Sequence, residues 1–260
     1  MISRDMPPEL DQMVDTVLGY DPRKAAPPKE QELPRKVKSW QTNITNIFDD
    51  GDVRLDATHF DPDSISAVNE LEKAGHKLDR LGDIAEVYLR GQFTRIWAED
   101  AEHGIPYLNA TDMMSLLALG VPAGGARYLS KATDTDIDAL IVHSDWLLMT
   151  CSGTIGRVFY VPNRLDGWAS THDLIRIVAP LSLIGYLYAW LTTDIAQSQV
   201  LSHTHGGQID HVTDEQVQGV LVPRLDEKKE KEINNNVLKA LRARERAMKS
   251  LLDLWGKANE

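Results

Sequence analysis

The chain has 260 residues, of which 42% are hydrophobic, and a single cysteine, Cys151. This length fits one fair-sized domain with an appendage, or two small domains. One cysteine excludes an intramolecular disulfide and favours a cytoplasmic protein, and the start of the chain lacks the basic and apolar segments of a signal peptide. The longest apolar stretch, 177–191, is interrupted by Pro180 and Gly185 and is too short to span a bilayer comfortably, so we expect no membrane association.

The formal net charge of −11 is concentrated in the middle of the chain. Residues 51–225 carry 12 basic and 23 acidic residues, whereas residues 226–260 are slightly basic. A protein that coats nucleic acid without sequence preference needs a broad basic surface. The acidic middle therefore counts against that class of protein, although it leaves room for a local basic cleft.

The predicted elements begin with an N-terminal extension. Residues 1–21 show a weak helical pattern, and residues 22–38 contain four prolines and many charges, as extended linkers do. Apolar residues followed by a glycine then predict a short helix over 63–75. Short apolar runs predict a series of strands, and helical spacing predicts a helix over 183–201. The predicted strands are 81–89, 105–113, 139–150, 157–162, 174–180 and 217–223.

Residues 226–257 form the clearest predicted element, a single helix about 45 Å long. The segment contains no proline, and its apolar residues follow the alternating spacing of three and four that forms a packing seam. The seam consists of Val237, Leu241, Met248, Leu251 and Trp255. Because such a helix is longer than a small domain needs, the seam is predicted to bind a partner helix. The alternative is that the helix folds back on its own domain.

The sequence contains no convincing catalytic motif. It lacks the GxxxxGK[ST] phosphate-binding loop, and the serine of SGTIG does not have the G-x-S-x-G spacing of a nucleophile elbow. Cys151 and His172 leave a thiolate pair open as an alternative, and His203, His205 and His211 leave a metal site open. A lone cysteine at a strand end is more often a small buried apolar residue. We therefore expect no catalytic residue, no metal and no cofactor.

A glycine-punctuated loop, SGTIGR, lies between two apolar, strand-like segments. Gly153 and Gly156 permit positive φ angles and close approach of the backbone, so they are predicted to shape a hairpin turn. Ser152, Thr154 and Arg157 add two hydroxyls and a guanidinium at this turn. Such groups commonly contact phosphates in nucleic-acid complexes.

The order of motifs along the chain resembles the target recognition domain of the specificity (S) subunit of type I restriction–modification enzymes. The matching segments are LRGQFTR, GIPYLNATDM, YLS, VHSDWLLMTCSGTIGRVFYVP, ASTHDLIRIVAP and VPRL, the last leading into the long charged helix. The SGTIG hairpin followed by V-P-x-L and a helix is the most specific part, and the resemblance covers residues 52–258. A full-length S subunit has two recognition domains and two conserved helices, whereas this chain has room for one of each.

The resemblance implies a mixed α/β (α+β) fold. A target recognition domain with a twisted mixed sheet and flanking helices would occupy 49–225, followed by a long spacer helix at 226–260 and preceded by the extension with its proline-rich linker at 1–48. The implied function is that of a non-catalytic subunit, which reads a short half-site in double-stranded DNA and directs an adenine methyltransferase (modification) subunit. Restriction or other defence subunits are further partners, and a second copy could pair through the long helix to supply a second half-site. The alternative is a protein–protein adaptor on the same scaffold that reads no DNA.

Polar and basic residues in the loops of this domain are the candidate DNA contacts. Arginine forms bidentate pairs with guanine, and glutamine with adenine, in the major groove. The candidates are Arg90, Gln92, Thr94, Arg95, Arg127, Tyr128, Ser152, Thr154, Arg157, His172, His203, His205 and Gln208. For each of them, the alternative is a solvated loop residue without a ligand.

Overall fold

A computed structural model shows a series of short strands and helices that ends in one long helix. It describes residues 61–203, except 121, 123 and 124, and residues 211–258, together with Gln41. Apart from Gln41, the predicted extension at 1–48 lies outside the described residues, as do His205, Gln208 and the side chain of Trp255. Residues from 61 onward belong to one compact unit that begins at Thr42.

Short helices are interspersed among the strands of the described chain. The helices are α1 (Pro62–Lys73), α2 (Leu81–Ile84), α3 (Asp112–Leu119), α4 (Leu181–Leu191), α5 (Asp194–Ser202), α6 (Asp214–Gln218) and α7 (Glu227–Ala258). The strands are β1 (Lys77–Arg80), β2 (Glu86–Tyr88), β3 (Trp97–Ala98), β4 (Gly104–Leu108), β5 (Arg127–Ser130), β6 (Leu147–Thr150), β7 (Val158–Tyr160), β8 (Ala169–Ser170), β9 (Leu174–Val178) and β10 (Leu221–Arg224). Among the described helices, none combines the length and the apolar composition needed to cross a membrane.

Within the described residues, the strands form three sheets. Strands β1 and β10 form an antiparallel pair, and a second antiparallel sheet has the order β2-β9-β6-β7. The third sheet, β3-β5-β4-β8, is mixed, because β4 and β8 run parallel while the other pairs are antiparallel. The predicted mixed α/β class with flanking helices and a long C-terminal helix is confirmed, with its strands divided among these sheets.

The β2-β9-β6-β7 sheet is buried on both faces at its centre, which explains why its strands read as continuous apolar runs. All of β6 and the first four residues of β9 are buried. Leu147 and Met149 pack in one cluster with residues of α4, whereas Leu148 and Leu174 pack with residues of α3 on the opposite face. Full burial of each such side chain contributes about 1.5–3 kcal/mol to folding.

Several predicted elements change type within their predicted range. The predicted strand at 81–89 begins with α2, and the one at 105–113 ends before α3 starts at Asp112. The predicted helix at 183–201 is two helices, because Thr193 caps the second of them by accepting a hydrogen bond from the Ala196 amide. The short predicted helix at 63–75 corresponds to α1.

The first half of α7 packs along α4 and is part of the domain. Gly185 of α4 lies so close to α7 that a Cβ atom there would be 2.5 Å from the carbonyl oxygen of Asn234. The buried Asn234 side chain accepts hydrogen bonds from the amides of Gly185 (2.8 Å) and Tyr186 (3.3 Å), and it donates one to the Leu181 carbonyl (3.1 Å). A polar side chain on α7 is thus bonded directly to the backbone of α4.

Candidate functional site

Three of the predicted DNA-contacting residues, Arg95, His172 and Ser152, meet at the carboxylate of Asp173. Arg95 Nη2 lies 3.8 Å from Asp173 Oδ2, and His172 Nε2 lies 3.5 Å from Asp173 Oδ1. Ser152 Oγ donates a hydrogen bond to Asp173 Oδ1 over 3.3 Å. The side chains of Arg95 and Asp173 are each 34% exposed. The fold therefore brings loops that are far apart in the sequence into one cluster that opens to solvent.

Arg95 is held by two buried hydroxyl groups. Its Nε donates to Tyr107 Oη over 2.9 Å, and its Nη2 donates to Thr171 Oγ1 over 3.1 Å. Tyr107 lies in β4 and Thr171 follows β8 directly, and these two strands pair in parallel. Because both hydroxyls are fixed to the sheet, the position of the guanidinium is set by rigid elements and not by its own loop.

A second predicted arginine, Arg127, lies beside this cluster. Its strand β5 pairs with β4 so that Arg127 is opposite Tyr107. The guanidinium carbon of Arg127 is 5.0 Å from the centre of the Trp97 ring, and that ring meets the Tyr107 ring edge-on at 5.2 Å. Trp97 is 42% exposed. A cation and an aromatic ring are thus presented together, a combination that nucleic-acid-binding surfaces use.

The buried Arg176 donates hydrogen bonds to the backbone of the turn between β8 and β9. Its Nη1 donates to the carbonyl oxygens of Thr171 (3.2 Å) and Leu174 (2.8 Å), and its Nη2 donates to that of Ser170 (3.2 Å). Burial lowers the pKa of Arg176 to about 10, because the charged form loses its hydration. The guanidinium therefore fixes the backbone of the turn that carries three residues of the Asp173 cluster.

The SGTIG loop forms the predicted hairpin turn between β6 and β7. Thr150 anchors it, because its Oγ1 accepts from the Arg157 amide (3.0 Å) and donates to a carbonyl inside the turn. Both glycines have positive φ angles, 67° at Gly153 and 84° at Gly156. A Cβ on Gly156 would lie 2.5 Å from Gln197 Oε1 on α5, whereas Gly153 has open space around it. Gly156 is therefore required for close packing against α5 as well as for the turn.

The other candidates that the structure describes lie at several places in the domain. Arg90 is exposed, with its guanidinium carbon 4.7 Å above the ring of Tyr88. Tyr128 follows Arg127 in β5 and therefore points to the opposite face of the sheet. His203 is half-buried at the end of α5. The other exposed candidates are Gln92, Thr94, Thr154 and Arg157.

Cys151 is not arranged as a nucleophile. Burial raises the pKa of its thiol to about 11, and the nearby Asp173 carboxylate adds to this effect. His172 offers Cys151 only its backbone carbonyl, 4.0 Å from the sulfur, while its ring nitrogens lie near Arg95 and Asp173. The thiolate pair that the sequence left open is therefore contradicted by the geometry.

The histidines considered as metal ligands form no metal site in the part of the chain that the structure describes. His211 makes an antiparallel backbone bridge with Ser152, and His203 lies at the end of α5, while His205 is outside the described residues. Across the described ranges, no group of three or more His, Cys, Asp or Glu side chains is placed to hold a metal ion.

The predicted seam of α7 is divided between the domain and the solvent. Leu241 packs against the main core, and Met248 packs over the C-terminal cap of α3. Val237 is half-buried. Farther along the helix, Leu251 is 60% exposed and its neighbour Leu254 is 64% exposed. The helix thus folds back on its own domain as far as Leu252, while the apolar side chains of Leu251 and Leu254 remain exposed near its C-terminal end.

Ion pairs fix the direction of α7 relative to the domain. Near its start, Arg224 donates two hydrogen bonds to Glu230 and one to Asp79, each 2.8 Å long. The hydrogen bonds from Arg224 hold the pKa of Glu230 below its usual range. Farther along, Arg164 Nε and Glu245 Oε2 are 2.8 Å apart. The helix is therefore tied to the domain at two separated points.

Tyr107, Thr171 and Asp173 organise the cluster, although none of them is among the residues predicted from the sequence. Tyr107 lies in an apolar segment, where an aromatic residue indicates core, and its ring is indeed buried. Thr171 and Asp173 flank the candidate His172. Examination of the polar neighbours of each candidate could have found these two residues, but no local signal identifies the hydroxyl of Tyr107.

Comparison with known proteins identifies a family. The family model of the type I restriction modification DNA specificity domain matches residues 75–244. This range contains the whole Asp173 cluster and the first half of α7. No match was found among curated proteins.

Solved structures with a similar fold include two S subunits. The S subunit of a type I restriction-modification system from M. genitalium is 13% identical with a TM-score of 0.45, and the match covers 70% of this chain and 43% of that chain. The HsdS subunit from Thermoanaerobacter tengcongensis is 12% identical with a TM-score of 0.44, and the match covers 71% and 46%. The aligned region thus spans less than half the length of either protein.

Proposed function

The chain belongs to the type I restriction modification DNA specificity family, and from this premise we propose that it reads a short DNA half-site and directs an adenine methyltransferase to it. In this proposal it is a cytoplasmic, non-catalytic subunit. Residues 49–225 are the recognition domain and residues 226–260 are the spacer helix. Restriction or other defence subunits would join the same complex.

The observation that carries the proposal is the cluster at Asp173. Arg95 is fixed by Tyr107 and Thr171 but remains partly exposed, and Arg127 lies beside it on Trp97. Side chains that are held in place by a rigid sheet and still open to solvent suit the recognition of base edges.

In this proposal, exposed arginines contact the DNA backbone. Arg90 and Arg157 are exposed, and their guanidinium groups form no ion pair with a described residue. Such side chains are suited to phosphates, which position a protein on DNA without reading its sequence. Because the chain as a whole is acidic, we expect weak DNA binding by the isolated chain and stronger binding once the methyltransferase is present.

The end of α7 is the proposed docking surface for the methyltransferase. Most of the helix packs on the domain, through Leu241 and the ion pairs described above. We therefore assign partner binding to the exposed side chains of Leu251 and Leu254. Exposed apolar patches on one helix face favour association with another helix. Two copies paired antiparallel through this region would provide two recognition domains and a two-part symmetric site.

Sequencing of adenine methylation across a genome tests the proposal. Cells that carry this gene with its neighbouring genes are compared with cells that lack only this gene. We expect one short motif to lose its adenine methylation, and the wild-type gene on a plasmid should restore it. An unchanged methylation pattern in cells with an active neighbouring methyltransferase would refute the specificity function.

The acidic balance of residues 51–225 favours a second candidate, a protein–protein adaptor that reads no DNA. Salt dependence separates the two functions, because neutralisation of phosphates by basic side chains releases counterions and makes affinity fall steeply with salt. A specificity subunit within its complex should show this dependence at a defined site. An adaptor should show no salt-dependent DNA binding, either alone or in the complex.

A further inference from the structure

We propose that Arg95 reads a guanine in the half-site, and that Tyr107 and Thr171 are the positioning residues that hold it for this task. The inference rests on the proposed function and deepens it, because it assigns one base of the site to one side chain. It also assigns a different task to Arg90, the other arginine of the same loop.

The hydrogen bonds of Arg95 leave one edge of its guanidinium open. Nε is bonded to Tyr107 Oη and Nη2 to Thr171 Oγ1, so the edge formed by Nε and Nη2 faces the protein. Nη1 donates no hydrogen bond to a described residue. Nη2 also lies 3.5 Å from His172 Nδ1, a long contact that an acceptor on a base can replace. The far end of the group, where Nη1 and the second proton of Nη2 lie, is therefore the edge that can act as a fork. Guanine presents two acceptors, N7 and O6, that match such a fork in the major groove.

Asp173 determines the direction of the hydrogen bond between Thr171 and Arg95. The Thr171 hydroxyl donates its only proton to Asp173 Oδ2 over 2.9 Å, so it must present a lone pair to Arg95. The Asp173 amide in turn donates to Thr171 Oγ1 over 3.3 Å. The carboxylate thus orients the hydroxyl that orients the arginine. Because Asp173 Oδ2 is 3.8 Å from Arg95 Nη2, it contributes less as a direct ion pair than as the acceptor for Thr171.

Arg95 is held in one conformation before DNA binds, and this favours recognition of a base. A free arginine loses much of its rotamer freedom when it binds, and this cost opposes affinity. In Arg95 that freedom is already restricted by two hydroxyls on paired strands. Arg90 differs, because it only stacks on Tyr88 and forms no hydrogen bond through its guanidinium with a described residue. We assign Arg90 to a phosphate, which tolerates a mobile cation.

The test uses the assembled methyltransferase complex with defined DNA duplexes that vary one base pair of the motif at a time. Arg95→Lys retains the charge but removes the fork. We expect it to lower methylation of the correct site by about tenfold or more and to relax the requirement for guanine at one position only. Arg90→Lys should retain the full base preference, and Arg90→Ala should weaken binding to all sequences alike and lower the salt dependence.

The positioning residues are tested by loss and restoration of the hydroxyl. Thr171→Val and Tyr107→Phe remove one hydroxyl each and should relax the same base position as Arg95→Lys, whereas Thr171→Ser should restore the wild-type preference. Thermal unfolding and gel filtration of each complex show whether it is folded and assembled. If Thr171→Val does not fold, Tyr107→Phe and Arg95→Lys still test the proposal.

Three outcomes would overturn the assignment. If Arg95→Lys weakens methylation equally on all duplexes, Arg95 contacts a phosphate and not a base. If it changes nothing, Arg95 is not part of the interface. If Tyr107→Phe and Thr171→Val keep the wild-type preference while Arg95→Lys loses it, the positioning role fails. A wild-type complex that methylates no defined motif would instead contradict the proposed function.

Discussion

At the scale of single residues, the environment of Cys151 predicts an unreactive thiol. Burial raises its pKa from 9.0 to about 11, which leaves about a hundredfold less thiolate near pH 8 than an exposed cysteine has. We expect DTNB to label the native protein at least about 100-fold more slowly than the urea-unfolded protein. Because this is the only cysteine of the chain, the signal is unambiguous. Rapid labelling of the native protein would show that the site is open, and Cys151→Ser should leave the methylation pattern unchanged.

The residues of the site could be predicted from the sequence only in part. Arg95, His172 and Ser152 lie in polar loops, so a search for exposed bonding groups finds them. Their meeting point at Asp173 depends on contacts between segments far apart in the chain, and spacing in the sequence carries no information about that. Arg176 shows the same limit, because a charged residue inside an apolar strand gives no sign that backbone carbonyls of the neighbouring turn will surround it.

At the scale of elements, the crossing of α4 and α7 depends on Asn234. Its buried amide bonds to three backbone groups of α4. We expect Asn234→Leu to lower the free energy of unfolding by about 2–3 kcal/mol, because buried donors and an acceptor lose their partner. Urea unfolding of the full chain measures this. Asn235→Ala, at the adjacent exposed position, is the matched control and should change stability by less than about 0.5 kcal/mol.

An unchanged stability of Asn234→Leu would show that other contacts hold α4 against α7. If Asn234→Leu is as stable as the wild type, the amide contributes little, and close packing at Gly185 together with the apolar contacts of Leu238 holds the two helices. Gly185→Ala tests that contact directly, because its Cβ would meet the backbone of α7 at 2.5 Å. We expect this variant to be destabilised even though alanine favours helices more than glycine does.

The sequence predicted long helices better than it predicted the ends of helices and strands. The long helix and the short helix α1 were found because their periodicity extends over several turns. The break between α4 and α5 was missed because the apolar pattern continues across it, while the cap at Thr193 depends on one side-chain hydrogen bond. The apolar runs at 105–113 and 139–150 contain shorter strands than predicted, because buried strand and buried helix cannot be distinguished by composition alone.

At the scale of the whole molecule, we propose that α7 packs on the domain through most of its length and binds a partner through its exposed C-terminal end. Residues up to Leu252 hold the helix against the domain, through the buried Leu238, the Asn234 amide, the Arg164–Glu245 ion pair and the close approach of Leu252 to Gly120. Removal of the whole helix would therefore unfold part of the domain and could not test partner binding alone. A sharper test changes only the two exposed leucines near the end of the helix, Leu251 and Leu254.

The double variant Leu251→Glu/Leu254→Glu should lose binding to the methyltransferase and to a second copy, while its free energy of unfolding changes by less than about 0.5 kcal/mol. Both side chains are more than half exposed, so their replacement removes apolar contact area only in a complex. Gel filtration and co-purification with the methyltransferase measure assembly. Leu238→Glu, at a buried position of the same helix, is the contrasting control, because it should destabilise the chain itself. If the double variant assembles normally, the partner binds another surface, and the exposed end of α7 serves only as a spacer.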